Sequence, residues 1–295
     1  MSNQKSTIPK QGNWEIDFYS RPIIDPSGKK RWELLITTPD DVSVEEVFKW
    51  EKICPADQVN SVWLASALQE ALANATQQGW DNPKKLKCWR PAMKTMIKKA
   101  AEKVGIEVIE SRRTYTLFDW IEERENNYYP NQPGYLAGPI APPPARIMNQ
   151  PIPLPEALRG DAWSLAALDL NTLREAKEWP MEFNGLLPIK SSFLENISIP
   201  GLRLFSKGRA LALSAWLSGI EPVKLQIEGT QLILETGIED RWLVTDIPKD
   251  QAKETKELIE ESFNNAGGLQ FIAIQSEPND KKFAGFWMLR NMRET

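Results

Sequence analysis

The sequence predicts a mixed α/β (α+β) chain of two domains, each a mixed sheet with flanking helices, joined by a Pro-rich connector. Three observations carry this expectation. The chain has 295 residues, long for one ordinary domain and sufficient for two. Segments of period-two and period-3.6 apolar patterning are interspersed along both halves. Between Tyr128 and Gly160 lie nine prolines, from Pro130 to Pro155, including Pro142-Pro143-Pro144. Proline lacks the amide donor and fixes φ, so this stretch is excluded from regular helix and from inner strands. The expected division is residues 1–128, a connector over 129–160, and residues 161–295.

The N-terminal half opens as a hairpin. Trp14, Ile16 and Phe18 alternate with Glu15, Asp17 and Tyr19, and Trp32, Leu34 and Ile36 alternate with Arg31, Glu33 and Leu35. Asp25-Pro26-Ser27-Gly28 between them is turn chemistry. A helix is expected over Val44–Lys52 and another from Ser61 to about Gln78, with Leu64, Leu68, Leu72 and Ala75 on one face and Gly79 as its stop. Lys85–Arg90 reads as a strand. Pro91 then opens a helix that ends at Gly105. Ile106–Glu110 follows as a strand and Leu117–Glu125 as a helix.

In the C-terminal half, Ala162–Leu170 reads as a strand before a helix capped by Asn171. A helix is expected from after Ser206 to near Gly219, then strands at Val223–Ile227, Gln231–Glu235 and Trp242–Ile247. Asp250–Asn265 is an amphipathic helix with Leu258, Ile259 and Phe263 inward and Gly267-Gly268 as its stop. Leu269–Gln275 and Phe283–Leu289 form a closing hairpin. Its second strand is apolar on both faces, Phe286, Met288 and Arg290 on one and Trp287 and Leu289 on the other. That pattern implies a sheet covered on both sides or an inter-domain surface.

Composition bounds the chemistry. Histidine is absent, which removes Ser-His-Asp and Cys-His catalysis and histidine metal sites. The two cysteines, Cys54 and Cys88, have no metal-binding spacing and fit a reducing compartment. No window approaches a membrane span of about 18 apolar residues, and the start has neither a secretory h-region nor the length of a transit peptide. Net charge is −4 and the pI about 5.3, so any nucleic-acid surface must be a local basic patch on an acidic molecule. No cofactor motif is present, neither GxGxxG nor a P-loop.

Three constellations bear on function. Lys84, Lys85, Lys87, Trp89 and Arg90 precede a helix carrying Lys94, Lys98, Lys99 and Lys103, and Arg112-Arg113 follows. Cations can neutralise phosphates and Trp89 can stack on an unpaired base. A plain amphipathic helix shows the same lysine flanks. Lys207 and Arg209, in Ser206-Lys207-Gly208-Arg209, sit at a strand-to-helix junction whose free amides could hold a phosphate group; an ordinary N-terminus with exposed basic residues is the alternative. Glu15, Asp17 and Glu33 share one hairpin face. Such carboxylates could hold a divalent metal in a nuclease of ribonuclease-H-like kind, or form a solvated or salt-bridged polar face beside Arg21, Arg31 or Lys87.

The segments WEIDFYSRPIIDPSGKKRWELLI (14–36), NSVWL (60–64), IEVIESRRTYTLFDWIEER (106–124), IPGL (199–202), LSAWLSGIE (213–221) and GGLQFIAIQSE…FAGFWMLR (267–290) together resemble the Tab/Atab family of RNA-binding proteins. The resemblance spans essentially the whole chain. It implies a factor supporting translation and biogenesis of photosystem I, and in plants photosystem II, core subunits. The implied partners are RNA, in the 5′ leader of a photosystem subunit message, and translation or assembly proteins. The short N-terminus fits a cyanobacterial, cytoplasmic member. The resemblance supplies no catalytic residue and no residue-level RNA contact. The expected role is therefore an RNA-binding factor rather than an enzyme. An assembly factor without direct RNA contact and a metal-dependent nuclease are the alternatives.

Overall fold

The computed structural model describes residues 12–40, 46–138, 148–189 and 196–291. The chain forms two compact units that divide between residues 142 and 143.

The first unit is built on a five-stranded mixed sheet. β1 (Trp14–Ile24), β2 (Lys30–Thr37) and β3 (Lys49–Cys54) form an antiparallel meander. After helix α1 (Ser61–Gln77), β4 (Lys85–Cys88) pairs parallel to β1. Helix α2 (Pro91–Glu102) then leads to β5 (Glu107–Glu110), parallel to β4, and helix α3 (Tyr115–Glu123) follows. The strand order is β3-β2-β1-β4-β5. The hairpin has the expected alternation, with Ile16 opposite Ile36 and Phe18 opposite Leu34. Asp25 holds its turn by accepting from the Ser27 and Lys29 amides at 2.8 and 3.0 Å.

The apolar face of β1 and β2 packs on α1 and α2 around Trp14, Ile16, Phe18, Leu34, Leu64, Leu68 and Ile97. Asn60 caps α1 by accepting from Val62 and Trp63 amides, and Gly79, at φ +80°, ends it as expected. The helix expected over Val44–Lys52 is corrected. Lys49–Cys54 is an edge strand paired along β2, with Trp50 opposite Ile36, while residues 41–45 lie outside the described residues. Ladder hydrogen bonds to β2 override the helical reading of this charged segment.

In the second unit, β7 (Ala162–Asp169), β9 (Ser198–Phe205), β13 (Leu269–Gln275), β14 (Phe283–Arg290) and β8 (Met181–Gly185) form a mixed sheet in that order. A smaller sheet has the order β10 (Pro222–Glu228), β11 (Gln231–Thr236), β12 (Asp240–Asp246), β6 (Ile152–Pro153). Helix α4 (Leu170–Arg174) follows β7, α5 (Ala210–Ile220) follows β9, and α6 (Lys249–Asn265) precedes β13.

The larger sheet is covered on both faces, which decides between the two readings of the apolar β14. Trp287 and Leu289 pack with Leu213, Leu217, Leu234 and Ile272 on one side, and Phe286 and Met288 with Leu170, Phe271 and Ile199 on the other. The buried Gln270 links the two sheets, its amide accepting from Leu225 N at 2.9 Å and donating to Leu225 O at 2.8 Å. Two expectations are corrected. α4 is capped by Asp169, whose carboxylate accepts from the Asn171 amide at 2.8 Å, not by Asn171. Leu258 on α6 is 57% exposed rather than inward; Ile259 carries the packing.

The Pro-rich stretch divides between the units where it is described. Tyr129 is fully buried and Gly134 O accepts from the Ile24 amide at 2.8 Å in the first unit. Ile152 and Pro153 pair with Trp242 and Leu243 in the second. Pro139 and Pro142–Pro144 lie outside the described residues.

Gly201 on β9 sits against the Phe271 ring, and a Cβ there would lie 2.4 Å from it. Phe271 is itself stacked on Phe286 at 5.5 Å and has nowhere to retreat. Gly201→Ala should therefore cost about 1–3 kcal/mol, the usual range for overpacking, read as a lowered denaturation midpoint for the second unit.

Candidate nucleic-acid interface

β1 runs on past the end of β4. Ile16 is opposite Cys88, the last residue of β4, so Asp17, Tyr19 and Arg21 flank the Trp89-Arg90 connection into α2. In open sheets the crevice at the carboxyl ends of parallel strands is the usual ligand position. Here the protein's own side chains fill it. Arg90 Nε donates to Asp17 Oδ1 at 2.8 Å, and the Arg90 guanidinium lies 4.0 Å from the Tyr19 ring centroid and 4.1 Å from that of Trp89. Arg21 donates to the other Asp17 oxygen at 2.9 Å. Trp89 is 6% exposed and meets Phe118 edge-on. It is part of the packing and presents no open ring to a base, so the stacking role expected for Trp89 has no exposed surface to act from.

The acidic face is likewise interior. Glu15, Asp17 and Glu33 are 2%, 1% and 1% exposed. They do share the face opposite the apolar one, as expected from alternation, but α3 and the segment after it cover them. Glu33 accepts from the Tyr129 hydroxyl at 2.8 Å and from Arg124 at 3.2 Å, with Arg21 at 3.5 Å. Arg124 continues the chain of charge to Glu51. Glu15 accepts from the Leu117 amide at 2.7 Å and so acts as a tertiary cap for α3, whose own N-cap Thr114 makes no side-chain bond. Guanidinium groups and backbone N–H groups hold the carboxylate positions that a divalent ion would need. Among the described residues no group of three His, Cys, Asp or Glu side chains converges to hold a metal. The salt-bridged reading of this face is the one its geometry supports, though as a buried layer and not a solvated one.

Burial, the largest influence, pushes the Glu15 carboxyl from its ordinary 4.5 up to about 8, against the Leu117 amide and the nearby Lys87, which favour ionisation. Burial also acts on Arg21, but Asp17, Tyr129 and Glu33 outweigh it and hold the guanidinium above its ordinary value.

Within the basic run, exposed cations lie on α2 and at its C-cap, Lys103, besides Lys84 ahead of β4. Met93, Ile97, Ala100 and Ala101 face the core, leaving Lys94, Lys98, Lys99 and Lys103 outward. Lys94 is ion-paired with Glu110, which holds its ammonium above the ordinary range. Lys85 pairs with Glu107 at 3.0 Å. Lys98, Lys99 and Lys103 have no ion pair among the described residues. Lys87 is half-buried on β4 beside Glu15. Arg112 and Arg113 are half-buried on the β5–α3 connection, with Arg113 5.4 Å from the Tyr115 ring centroid.

The second unit's candidates are self-neutralised. Asp161 accepts from Ser206 Oγ, from the Lys207 amide at 2.9 Å and from Arg209 at 2.8 Å, and Lys207 pairs with Glu277 at 3.4 Å. The Asp161 carboxylate occupies the place an anion would take before α5. The sequence pattern could not reveal it, because Asp161 is 45 residues or more upstream and meets the loop only through the β7–β9 pairing.

Two outcomes follow from the buried charges. Glu15 is ionised less readily in the fold than in the unfolded chain, so its contribution favours the folded state below about pH 4.5 and is lost as pH rises towards about 8. Glu15→Gln should raise stability near pH 8 and flatten that part of the pH dependence of urea denaturation. Tyr129→Phe removes the hydroxyl from Glu33 and should cost about 1.5–3 kcal/mol, the range for a hydrogen bond to a charged group, in the same denaturation experiment.

Comparison with known proteins bears on the whole chain. Residues 13–124 match the family model described as RNA-binding protein Tab2/Atab2 N terminal, and residues 142–290 match the RNA-binding protein Tab2/Atab2, C-terminal domain. Relatives named Protein TAB2 homolog, chloroplastic, are 32% identical in Arabidopsis thaliana, over 94% of this chain and 74% of the relative, and 32% identical in Zea mays, over 95% and 71%. A solved simian T-cell lymphotropic virus intasome in complex with PP2A regulatory subunit B56 gamma aligns with a TM-score of only 0.26 at 15% identity, covering 44% of this chain and 46% of that one, too low to assign a shared fold. With both halves matched in order and the relatives aligned along nearly its full length, the chain belongs to the Tab2/Atab2 family of RNA-binding proteins.

Proposed function

We propose that this protein is a non-enzymatic RNA-binding factor. It holds the 5′ leader of a photosystem subunit message, supports translation and biogenesis of photosystem I, and in some members photosystem II, core subunits, and works in a cytoplasmic or stromal compartment. Family membership supports RNA as the partner, and the resemblance set out above supports the message class. The observation that carries the site is the outward surface of α2 and its C-cap, where Lys98, Lys99 and Lys103 have no ion pair among the described residues of an otherwise acidic chain. Arg112, Arg113 and Lys87 would extend this surface where their half-exposed side chains reach solvent. Lys94 would join it by exchanging Glu110 for a phosphate. Trp89 and Arg90 are packed inside and fix the start of α2 instead of meeting RNA. Lys207 and Arg209 would contribute only on release from Glu277 and Asp161.

A mechanism based on phosphate neutralisation releases counterions, so affinity falls steeply with salt. Lys98→Gln/Lys99→Gln/Lys103→Gln should weaken binding of a single-stranded leader across sequences and flatten the log–log salt dependence by about 0.7 per lost contact. Unchanged affinity and slope in a folded triple variant would remove α2 from the interface.

The internal neutralisation of Lys94, Lys207 and Arg209 favours one second reading, an assembly factor that reaches its message through partner proteins. Ribonuclease treatment during affinity capture separates the two. Loss of the captured partners supports direct RNA binding, and their retention supports assembly by protein contact.

A further inference from the structure

A cavity of about 440 Å³ lies between β10 and α6 in the second unit. Five consecutive residues of β10, 224 to 228, line it. A strand turns successive side chains to opposite faces, so an unbroken run of this kind meets the cavity along its backbone edge. β10 is an outer strand of the smaller sheet, and α6 roofs that edge.

Gln270 shows what the edge can bind. Its side-chain amide exchanges two hydrogen bonds with the Leu225 backbone, at 2.9 and 2.8 Å. The Leu225 N–H and C=O therefore point away from β11. Outward and inward residues alternate in an antiparallel ladder. Ile227, opposite Leu232, thus turns a second N–H and C=O pair the same way. Neither group has a partner among the described residues. Ile227 is 5% exposed and lines the cavity, so the pair opens into it and not to bulk water. A buried pair of this kind is satisfied by a planar group with an adjacent donor and acceptor.

The remaining walls set the rest of the ligand. Ile259 and the half-buried Phe263 give an apolar side with an aromatic ring. Lys224 enters from β10 and Lys256 from α6. Of the two carboxylates present, Glu228 is taken up by Arg241, and Glu260 lies 3.6 Å from Lys256. Lys224 has no ion pair among the described residues.

We infer that this cavity binds a nucleotide. The base edge pairs with Ile227 as Gln270 pairs with Leu225, the ring lies against Phe263, and the phosphate sits between Lys224 and Lys256. A nucleotide unites the three features the walls ask for: an adjacent donor and acceptor, a ring that stacks and an anion. The volume falls within the range of about 300–1,000 Å³ usual for small-molecule sites. An added peptide strand is blocked at Leu225, where Gln270 already pairs. The inference does not rest on the α2 surface, which belongs to the other unit. A free nucleotide and a nucleotide of an RNA chain share this chemistry.

Calorimetric titration of the full chain with adenosine, cytidine, guanosine and uridine 5′-monophosphates, and with inorganic phosphate, tests it. At least one nucleotide should bind by millimolar concentration, and phosphate alone should not. Phe263→Ala and, separately, Lys224→Gln/Lys256→Gln should each weaken that binding about tenfold or more, with an unchanged circular dichroism spectrum. Hydrogen exchange should show the bound nucleotide protecting residues 224–228. Binding of none of the four, phosphate binding as well as they do, equal binding by either folded variant, or protection confined to α2 overturns the inference. Should Phe263→Ala fail to fold, the lysine variant and the exchange pattern decide. Single-stranded RNA that displaces the nucleotide assigns the site to a nucleotide of an RNA chain, and RNA that leaves it in place assigns it to a free one.

Discussion

The first unit depends on one constraint: three carboxyl groups on one sheet face lie in the interior, where each must be paired or, like Glu15, held largely neutral. A bare carboxylate in such a place costs several kcal/mol. The chain meets that cost with Arg21 and Arg90 on Asp17, Arg124 and Tyr129 on Glu33, and the α3 amide on Glu15. These partners come from β1 itself, from the β4–α2 connection, and from α3 with the segment beyond it. The network therefore fixes where three separate pieces of backbone sit. Arg90 is the clearest case, since one guanidinium binds Asp17 and stacks on both Tyr19 and Trp89. The crevice at the strand ends is consequently full, and α2 leaves it at a set angle with its lysines outward.

That geometry assigns different work to residues of like chemistry. Arginine, with its planar fork, is used inside, where bidentate and stacked contacts matter. Lysine, a flexible point charge, is left on the surface of α2, where the proposed neutralisation of phosphate would need reach more than shape. The free cations on this helix are few. An RNA interface built on them gains modest affinity per contact and depends strongly on ionic strength.

The second unit solves a different problem. Its larger sheet buries both faces, so its inner strands are apolar throughout, and Gln270 ties the smaller sheet to it by imitating a strand pairing with Leu225. A sheet of this kind has both faces filled by the chain's own side chains.

Much was settled by sequence alone. Period-two alternation placed Ile16 and Phe18 on one face of the hairpin and Glu15, Asp17 and Glu33 on the opposite face. Gly79 and Pro91 marked helix ends correctly because φ restrictions are local. The family, too, was legible in the long motifs. What alternation could not say was whether the second face met water or protein. Burial of Glu33 depends on Tyr129, 96 residues away, and the neutralisation of Arg209 on Asp161, 48 residues away. The strand at Lys49–Cys54 looked helical because its ladder to β2 is a tertiary fact. Side-chain periodicity and backbone restriction act over a few residues and can be read in order. Charge pairing and desolvation act through space, so only the folded chain decides which cations remain free.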